Sequence, residues 1–447
     1  MSAACTASRS PASDNSCSAE ARRVILTNVL VIHGVIQGTY YWCYLLPAFE
    51  EDPLLGWTKQ DSTLAATSTI IAENVGILLM GPAADHLPVA HIFVLNGAAA
   101  CLCLALEVAS PSSLVLLVLM NIAVFVKSII WPAVCAHVGG RLPESLHDFS
   151  SFTSALSSRS GELGSGLILG FLMKQFDFSW RGASLSLLGW AGLVLGLAYF
   201  MYPRTCSSNS SSASRKNDVS GRQLLDIFQS LASNMDFWLI LVTQAGSGLY
   251  WALQTYTPVL LQDLHGFSSG DAASNTAVLP AGMVTGLCVG CASTYIFSLG
   301  AGRVLHILQA TCSVIGLGIL ATWPNLPMQW TLVFMFMVGF GAVVPLYIPS
   351  LNFAANGLPD ERALRLSFLW ALTGFSQVAV TFGFGKMREY GEDSSAVASN
   401  VFTIVGFGLL VSILSMQSYY WRLSSNERAP LLPKASADAH KNSYAAA

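Results

Sequence analysis

Charge is what this sequence lacks most. Only 11% of its 447 residues are Asp, Glu, Lys or Arg, against about a quarter in a soluble globular protein. So few ionic groups could not cover the surface of a water-soluble fold of this length. Neither sign is in excess: the formal net charge is −3, which gives no basis for binding nucleic acid. The ten cysteines show no framework spacing, and Cys43, Cys101, Cys103, Cys135, Cys288, Cys291 and Cys312 all fall in apolar runs. They read as small buried hydrophobes. A phosphate-binding glycine loop with its lysine, a His-Glu-x-x-His pair and paired-cysteine metal spacing are all missing. No enzyme activity, cofactor or metal site is therefore expected. Gly164-x-Gly166 has no strand before it and reads as helix packing.

What the chain has is apolar length. Hydrophobic residues make up 53% of it, and the mean hydropathy is +0.55. Lipid tolerates such an exterior, and a spanning helix needs roughly 20 mostly apolar residues. Apolar runs fall near Val24–Phe49, Thr63–Met80, Ile92–Ala109, Ser113–Val138, Phe152–Met173 and Ala183–Tyr202. Six more fall near Phe237–Leu261, Ala272–Leu299, Val304–Thr322, Trp330–Ala355, Leu364–Gly385 and Ala396–Trp421. The expected fold is an all-α membrane protein with twelve transmembrane helices in two pseudo-symmetric six-helix bundles. The domain reading is a disordered tail over 1–23, one half over 24–202, a linker over 203–236, the other half over 237–421, and a tail over 422–447. The polar residues Met1–Glu20 have no apolar core and do not resemble a cleaved signal. The low-complexity run Cys206–Ser214 marks the linker.

Basic residues orient the chain. An even number of spans puts both ends on one side, with Arg22, Arg23, Arg141, Arg204, Arg215, Lys216, Arg222, Arg303, Arg362, Arg365 and Arg422. The other side holds Lys59, Lys174, Arg181, Lys386 and Arg388. Both termini are therefore expected in the cytosol. The sequon at Asn209 then lies in the cytosolic linker and reads as chance.

The two halves can be laid over each other. His33, Tyr40, Pro47 and Asp52 fall opposite Gln244, Trp251, Pro258 and Asp263 at one offset. At nearly the same offset Pro132 meets Pro345, Gly161 meets Gly374, and Gly170-Phe171 meets Gly383-Phe384. Prolines and glycines carry backbone geometry, so their coincidence implies matching kinks and close helix contacts. A parallel repeat of this kind is the layout of an alternating-access transporter with its site between the halves.

With these residues in view, the chain resembles the major facilitator superfamily over nearly its whole length. The loop Gly81-Pro-Ala-Ala-Asp85-His86-Leu-Pro88 is similar to the family's loop signature at Gly81 and Asp85, with His86 and His91 where the family has arginines. The resemblance implies a gating role for Gly81 and Asp85 on the cytosolic side. The matching loop keeps glycines and Arg303 but has no aspartate. Trp131-Pro132, the run Ser158–Gly166 and Trp180-Arg181 resemble the organic-anion and organophosphate-exchanger branches. The arginines expected of organophosphate exchangers in the first and seventh helices are absent here.

Charges within spans are costly and are functional candidates. Four stand out: Glu73, Lys127, Arg159 and Glu162. One reading makes Lys127 and Arg159 a cation pair that holds a carboxylate or phosphate, with Glu73 or Glu162 carrying protons. The other makes Glu162–Arg159 and Glu73–Lys127 structural pairs, since two positives and two negatives cancel. His33, Gln37, Tyr40, Tyr41 and Tyr44 run along one face of the first helix, and Gln244, Ser247, Trp251 and Gln254 do so in the seventh. Such a stripe can line a polar cavity or glue helices together. Cavity lining is assigned to His33, Gln37, Tyr41, Gln244, Trp251 and Gln254, with Gln377 a weaker member of the set. Tyr44 reads as an interfacial anchor.

The tail segment Glu427-Arg-Ala-Pro-Leu431-Leu432 resembles an acidic dileucine signal, which would engage a sorting adaptor for vacuolar or lysosomal membranes. The plasma membrane is the alternative. The function expected is secondary active transport of a small polar solute, an organic anion first, by a monomer in the bilayer. A sugar or amino-acid carrier and a non-transporting receptor or scaffold are the alternatives.

Overall fold

The protein is described by a computed structural model covering residues 11–81, 84, 87–142, 146–202, 228–297, 299–355, 362–391 and 393–428. The described residues form helices and connecting turns, with no strand among them. In chain order the helices are α1 (Pro11–Thr39), α2 (Trp42–Glu51), α3 (Lys59–Met80), α4 (Val89–Val108), α5 (Ser113–Lys127), α6 (Ile130–Arg141), α7 (His147–Gln175) and α8 (Trp180–Met201). The second half follows as α9 (Met235–His265), α10 (Ser269–Thr276), α11 (Val278–Ile296), α12 (Leu299–Thr322), α13 (Met328–Ala355), α14 (Arg362–Tyr390) and α15 (Ser394–Arg428).

These fifteen helices make twelve spans, because three spans are broken in two. Two breaks have a proline as their cause. Proline lacks an N–H and its ring collides with the carbonyl four residues back. Pro132 thus disrupts the chain at Ser128 and separates α5 from α6, and Pro280 does the same at Thr276, between α10 and α11. The third break, at Tyr40–Tyr41 between α1 and α2, follows a back-bonded Thr39, whose hydroxyl donates to the Val35 carbonyl at 2.7 Å. Such bonds bend helices. Hydroxyl and carboxylate groups start several spans: Thr58 and Asp61 form a capping box on α3, and Ser112 and Ser179 cap α5 and α8.

Ten of the spans are long and apolar enough to cross a bilayer on composition alone. The two that fall short are α7 and α9. Both are long, 29 and 31 residues, or about 45 Å at 1.5 Å per residue. Their polar faces are sheltered by neighbouring helices.

In the first half α1 packs on α7 and α8, and α3 on α5. In the second, α9 packs on α15, α14 and α13. Two seams join the halves: α3 against α14, and α7 against α10 and α11. Both are glycine seams. A Cβ on Gly374 would fall 2.0 Å from the Asn74 side chain, and one on Gly385 would fall 2.2 Å from Thr63. Across the other seam, a Cβ on Gly170 would lie 2.5 Å from the Ser274 backbone nitrogen. The repeat partners of Gly374 and Gly170 are placed differently: Gly161 faces the His33 backbone within its own half, and Gly383 has nothing within 4 Å of an added Cβ.

Some boundaries differ from the sequence reading. The first helix is described from Pro11, within the range read as a tail. The last helix runs to Arg428, past the boundary at 421. Within the linker range, residues 228–232 are helical, and Phe228 packs edge-on against Phe368 at 5.5 Å. Residues 203–227 lie outside the described set.

Replacing Gly170 by Ala forces backbone apart, because its neighbour is a main-chain atom. The expected cost is about 1–3 kcal/mol, the range for overpacking. Gly189 on α8 has nothing within 4 Å of an added Cβ, so Gly189→Ala is expected to be neutral or stabilising by up to about 1 kcal/mol through helix propensity. Thermal unfolding of the two variants in detergent checks the contrast.

Candidate functional site

A cavity of about 70 Å³ lies where the halves meet. That is room for a few waters, well below the 300–1,000 Å³ typical of ligand pockets. Its charged lining comes from the first half: Glu73 on α3, Lys127 on α5, and Arg159 and Glu162 on α7. Aromatic rings from both halves close around it: Tyr40, Trp131, Trp251, Tyr347 and Trp370. Amides add hydrogen-bonding capacity at Asn74, Gln244 and Gln377.

The four charges are paired. Lys127 Nζ lies 2.8 Å from Glu73 Oε1, and Arg159 Nη1 lies 2.5 Å from Glu162 Oε2. Pairing follows from the cost of a lone charge at low dielectric. The i,i+3 spacing of Arg159 and Glu162 puts both on one face of α7. Each cation also covers a ring: Lys127 sits 4.5 Å from the Tyr40 centroid, and Arg159 sits 4.3 Å from Trp251 and 5.7 Å from Tyr347. Because Trp251 and Tyr347 belong to the second half, Arg159 is a contact between halves. Gln254 adds another, its Nε2 donating to Glu162 Oε2 at 3.0 Å. Of the cavity-lining side chains, two donors are buried without a hydrogen-bond partner among the described residues: Arg159 Nε and Trp370 Nε1.

The structure brings Glu73, Glu162, Lys127, Arg159, Gln244, Trp251 and Gln377 to the cavity. Gln254 stands one contact behind it, through Glu162. The Gln244 amide is already tied to the Leu346 carbonyl. His33, Gln37 and Tyr41, of the stripe read from the sequence, do not line it. Their face of the first span packs on α7. His33 approaches Ser160 Oγ at 3.4 Å, and Gln37 Nε2 would lie 3.0 Å from a Cβ on Gly164. Tyr41 turns into the first half and hydrogen-bonds Glu107. The lining face is one residue round the helix, at Ile36 and Tyr40. Tyr44 is fully buried rather than interfacial.

Residues 30–383 match the Major Facilitator Superfamily pattern. The chain belongs to the Major Facilitator Superfamily. Among solved structures it is similar to a D-xylose-proton symporter (TM-score 0.66, 14% identity, 88% of this chain and 97% of that one). It is also similar to the human organic anion transporter MFSD10 (TM-score 0.63, 17% identity, 89% and 99%). A third likeness is to a bacterial homologue of the human lysosomal transporter Spinster (TM-score 0.61, 13% identity, 90% and 96%). No curated protein sequence matches the chain. At these identities the likenesses establish the fold. Membership makes the chain a multi-pass membrane transporter and not an enzyme.

A facilitator must close on either side of its cavity, and the two ends here close differently. At one end Arg388 of α14 is 5% exposed and spans both halves, 2.6 Å from Glu50 of α2 and 2.8 Å from Asp263 of α9. Lys174 of α7 reaches Asp271 of α10 at 2.6 Å, and Gln262 donates to Glu51 at 2.6 Å. At the other end the closure is aromatic: Trp131 lies 5.6 Å from Trp370 and 6.3 Å from Tyr347. Beyond it Gly81, the cap of α3, abuts Ser367, with an added Cβ only 2.3 Å from Ser367 Oγ. Asp85, the other loop residue, lies outside the described residues, as do Leu431 and Leu432 of the tail. Glu427 falls in the last turns of α15.

Removing the Arg388 side chain leaves Glu50 and Asp263 facing each other. Breaking a buried pair costs about 3 kcal/mol at the low end, so Arg388→Ala is expected to shift the open–closed balance at this end roughly 100-fold. Solvent labelling of a cysteine placed at Ile36, on the cavity wall, checks this: access from the Arg388 end is expected to rise.

Proposed function

We propose that this protein is a secondary active carrier that moves a small organic anion through the central cavity by alternating access. The observation that carries the reading is the pair of cation–carboxylate contacts on the cavity wall. Each cation is held by a carboxylate that a solute carboxylate or a proton could replace. If Glu73 takes a proton, Lys127 is freed for an anion, and the cavity stays neutral because the proton and the anion enter together. The same logic applies to Glu162 and Arg159, where the unpartnered Arg159 Nε offers a further donor. The organic anion transporter MFSD10 supports this substrate class by fold likeness alone.

A neutral ring-bearing solute is the second reading. Five aromatic side chains and three amides line the site, and rings stack on polar-edged solutes while amides bond their hydroxyls. The D-xylose-proton symporter and the nucleoside transporter NupG share the fold. A non-transporting receptor is the reading of another class, and it predicts no flux at all.

We place the Gly81 end in the cytosol, on the bias of basic residues, with both termini there. The halves over 24–202 and 237–421 are proposed to rock as units about the cavity, as a monomer. The dileucine segment is proposed as the sorting signal for a vacuolar or lysosomal membrane.

Proteoliposomes loaded against labelled anions, sugars and amino acids, with and without a proton gradient, test the reading. Uptake of an anion class is expected, lowered roughly tenfold or more by Lys127→Ala or Arg159→Ala, the scale of one charge-assisted contact at about 1.5–3 kcal/mol. Glu73→Gln is expected to leave uptake less dependent on the proton gradient. Uptake that ignores both cation variants overturns the anion reading, and no uptake by folded protein overturns transport.

A further inference from the structure

One buried carboxyl stands outside the cavity. Among the described residues the two most deeply buried acids are Glu107 and Glu162, each 1% exposed. Glu162 holds Arg159. Glu107, one residue from the end of α4, has no cation within ion-pair distance among the described residues. Its partner is the Tyr41 hydroxyl, itself fully buried.

Tyr41 sits at the joint between α1 and α2. Here the regular ladder gives way to a tight turn, with Tyr44 N bonded to the Tyr41 carbonyl at 3.1 Å and Cys43 Sγ donating to the Tyr40 carbonyl at 3.2 Å. The adjacent residue, Tyr40, forms the cavity wall under Lys127 and meets Trp251 of the other half edge-on at 6.0 Å. Glu107 thus grips the back of the joint whose front shapes the cavity.

The other groups around Glu107 are few. Cys103 lies one turn back on α4. From α8, Arg181 donates to the Val108 and Ser110 carbonyls at 2.6 and 2.9 Å, with Asp52 at 4.0 Å. The one titratable residue of α5, Lys127, is turned to Glu73. From α6, His137 meets α4 at Phe93, 5.5 Å away and at the opposite end of the helix.

We propose that Glu107 is a proton-binding site, separate from the cavity, whose protonation state sets the joint in the first span. The carboxylate accepts a charge-assisted hydrogen bond from the Tyr41 hydroxyl and holds the joint bent. A proton arriving from water at the Arg388 end, where α4 terminates, neutralises the carboxyl and weakens that bond. Tyr41 is then let go. Tyr40 moves with it, so the cavity wall reads the proton. The inference rests on the transport reading for its purpose, and its test needs no solute.

Full-length protein in lipid nanodiscs is stepped from acid to alkaline buffer while infrared difference spectra follow the carboxylic C=O stretch. In parallel, hydrogen exchange over residues 36–46 is measured and corrected for intrinsic rates. A pH-dependent carboxylic band is expected that vanishes in Glu107→Gln and persists in Glu73→Gln. Tyr41→Phe is expected to move its titration midpoint. Exchange at the joint is expected to follow pH in the wild type and not in Glu107→Gln. The proposal is overturned if the band survives Glu107→Gln, if Tyr41→Phe leaves its midpoint in place, or if joint exchange in Glu107→Gln still tracks pH.

Discussion

The Arg159–Glu162 pair sets the terms for the centre of this transporter. Two charges one turn apart on α7 can stay in a low-dielectric interior only while each has the other. The second half completes the arrangement: Gln254 bonds the glutamate, and the Trp251 and Tyr347 rings face the guanidinium. The pair is therefore both the most polar element of the cavity wall and a fastening between the two bundles. Any motion that separates the halves has to leave Arg159 and Glu162 with each other, with water or with a solute. A solute bearing its own charge or ring is thus a component of the moving structure as well as its cargo.

Around that centre the two closures use different physics. The Arg388 end is held by ion pairs and hydrogen bonds between residues near helix ends, where water can take over each partner as they separate. The Gly81 end is held by tilted indole and phenol rings and by a glycine contact. Apolar contact of this kind has no direction and opens without leaving an unmatched charge. The glycine seams of α3 with α14 and of α7 with α10 run between them. They let backbones approach closely without interlocking side chains, as surfaces that slide or tilt require.

Much of the architecture was legible because its signals are physical necessities. Spans announce themselves by apolar length, and Pro132 marks a break by what a proline cannot bond. Lys127, Arg159, Glu73 and Glu162 were findable because charge in a span needs a reason. Other parts were hidden for equally physical reasons. Helical period gives the polar face of the first span but not its neighbour, so His33 and Gln37 read like cavity residues although they pack on the glycine face of α7. Tyr347, Trp131 and Trp370 sit in apolar runs, where a lining ring and a packing ring look alike. Glu107 lies at the end of its run, where a carboxylate is ordinarily taken to meet water. Only the fold shows that it is buried against Tyr41 of the first span.

The polarity of α7 and α9 has a consequence for how the protein is made. Each charged residue near the middle of a helix costs about 2.5–3.5 kcal/mol on entering the bilayer through the translocon. Because α7 carries Arg159 and Glu162 there, it is a poor candidate to partition into lipid alone, and α9 with its glutamines is little better. Both pack against several neighbouring helices. Their integration during synthesis therefore depends on partners: for α7 on α1, which is already in place, and for α9 on the helices α13 to α15, which emerge from the ribosome after it. The chemistry that lets the finished protein handle a polar solute is the same chemistry that makes its own biogenesis cooperative.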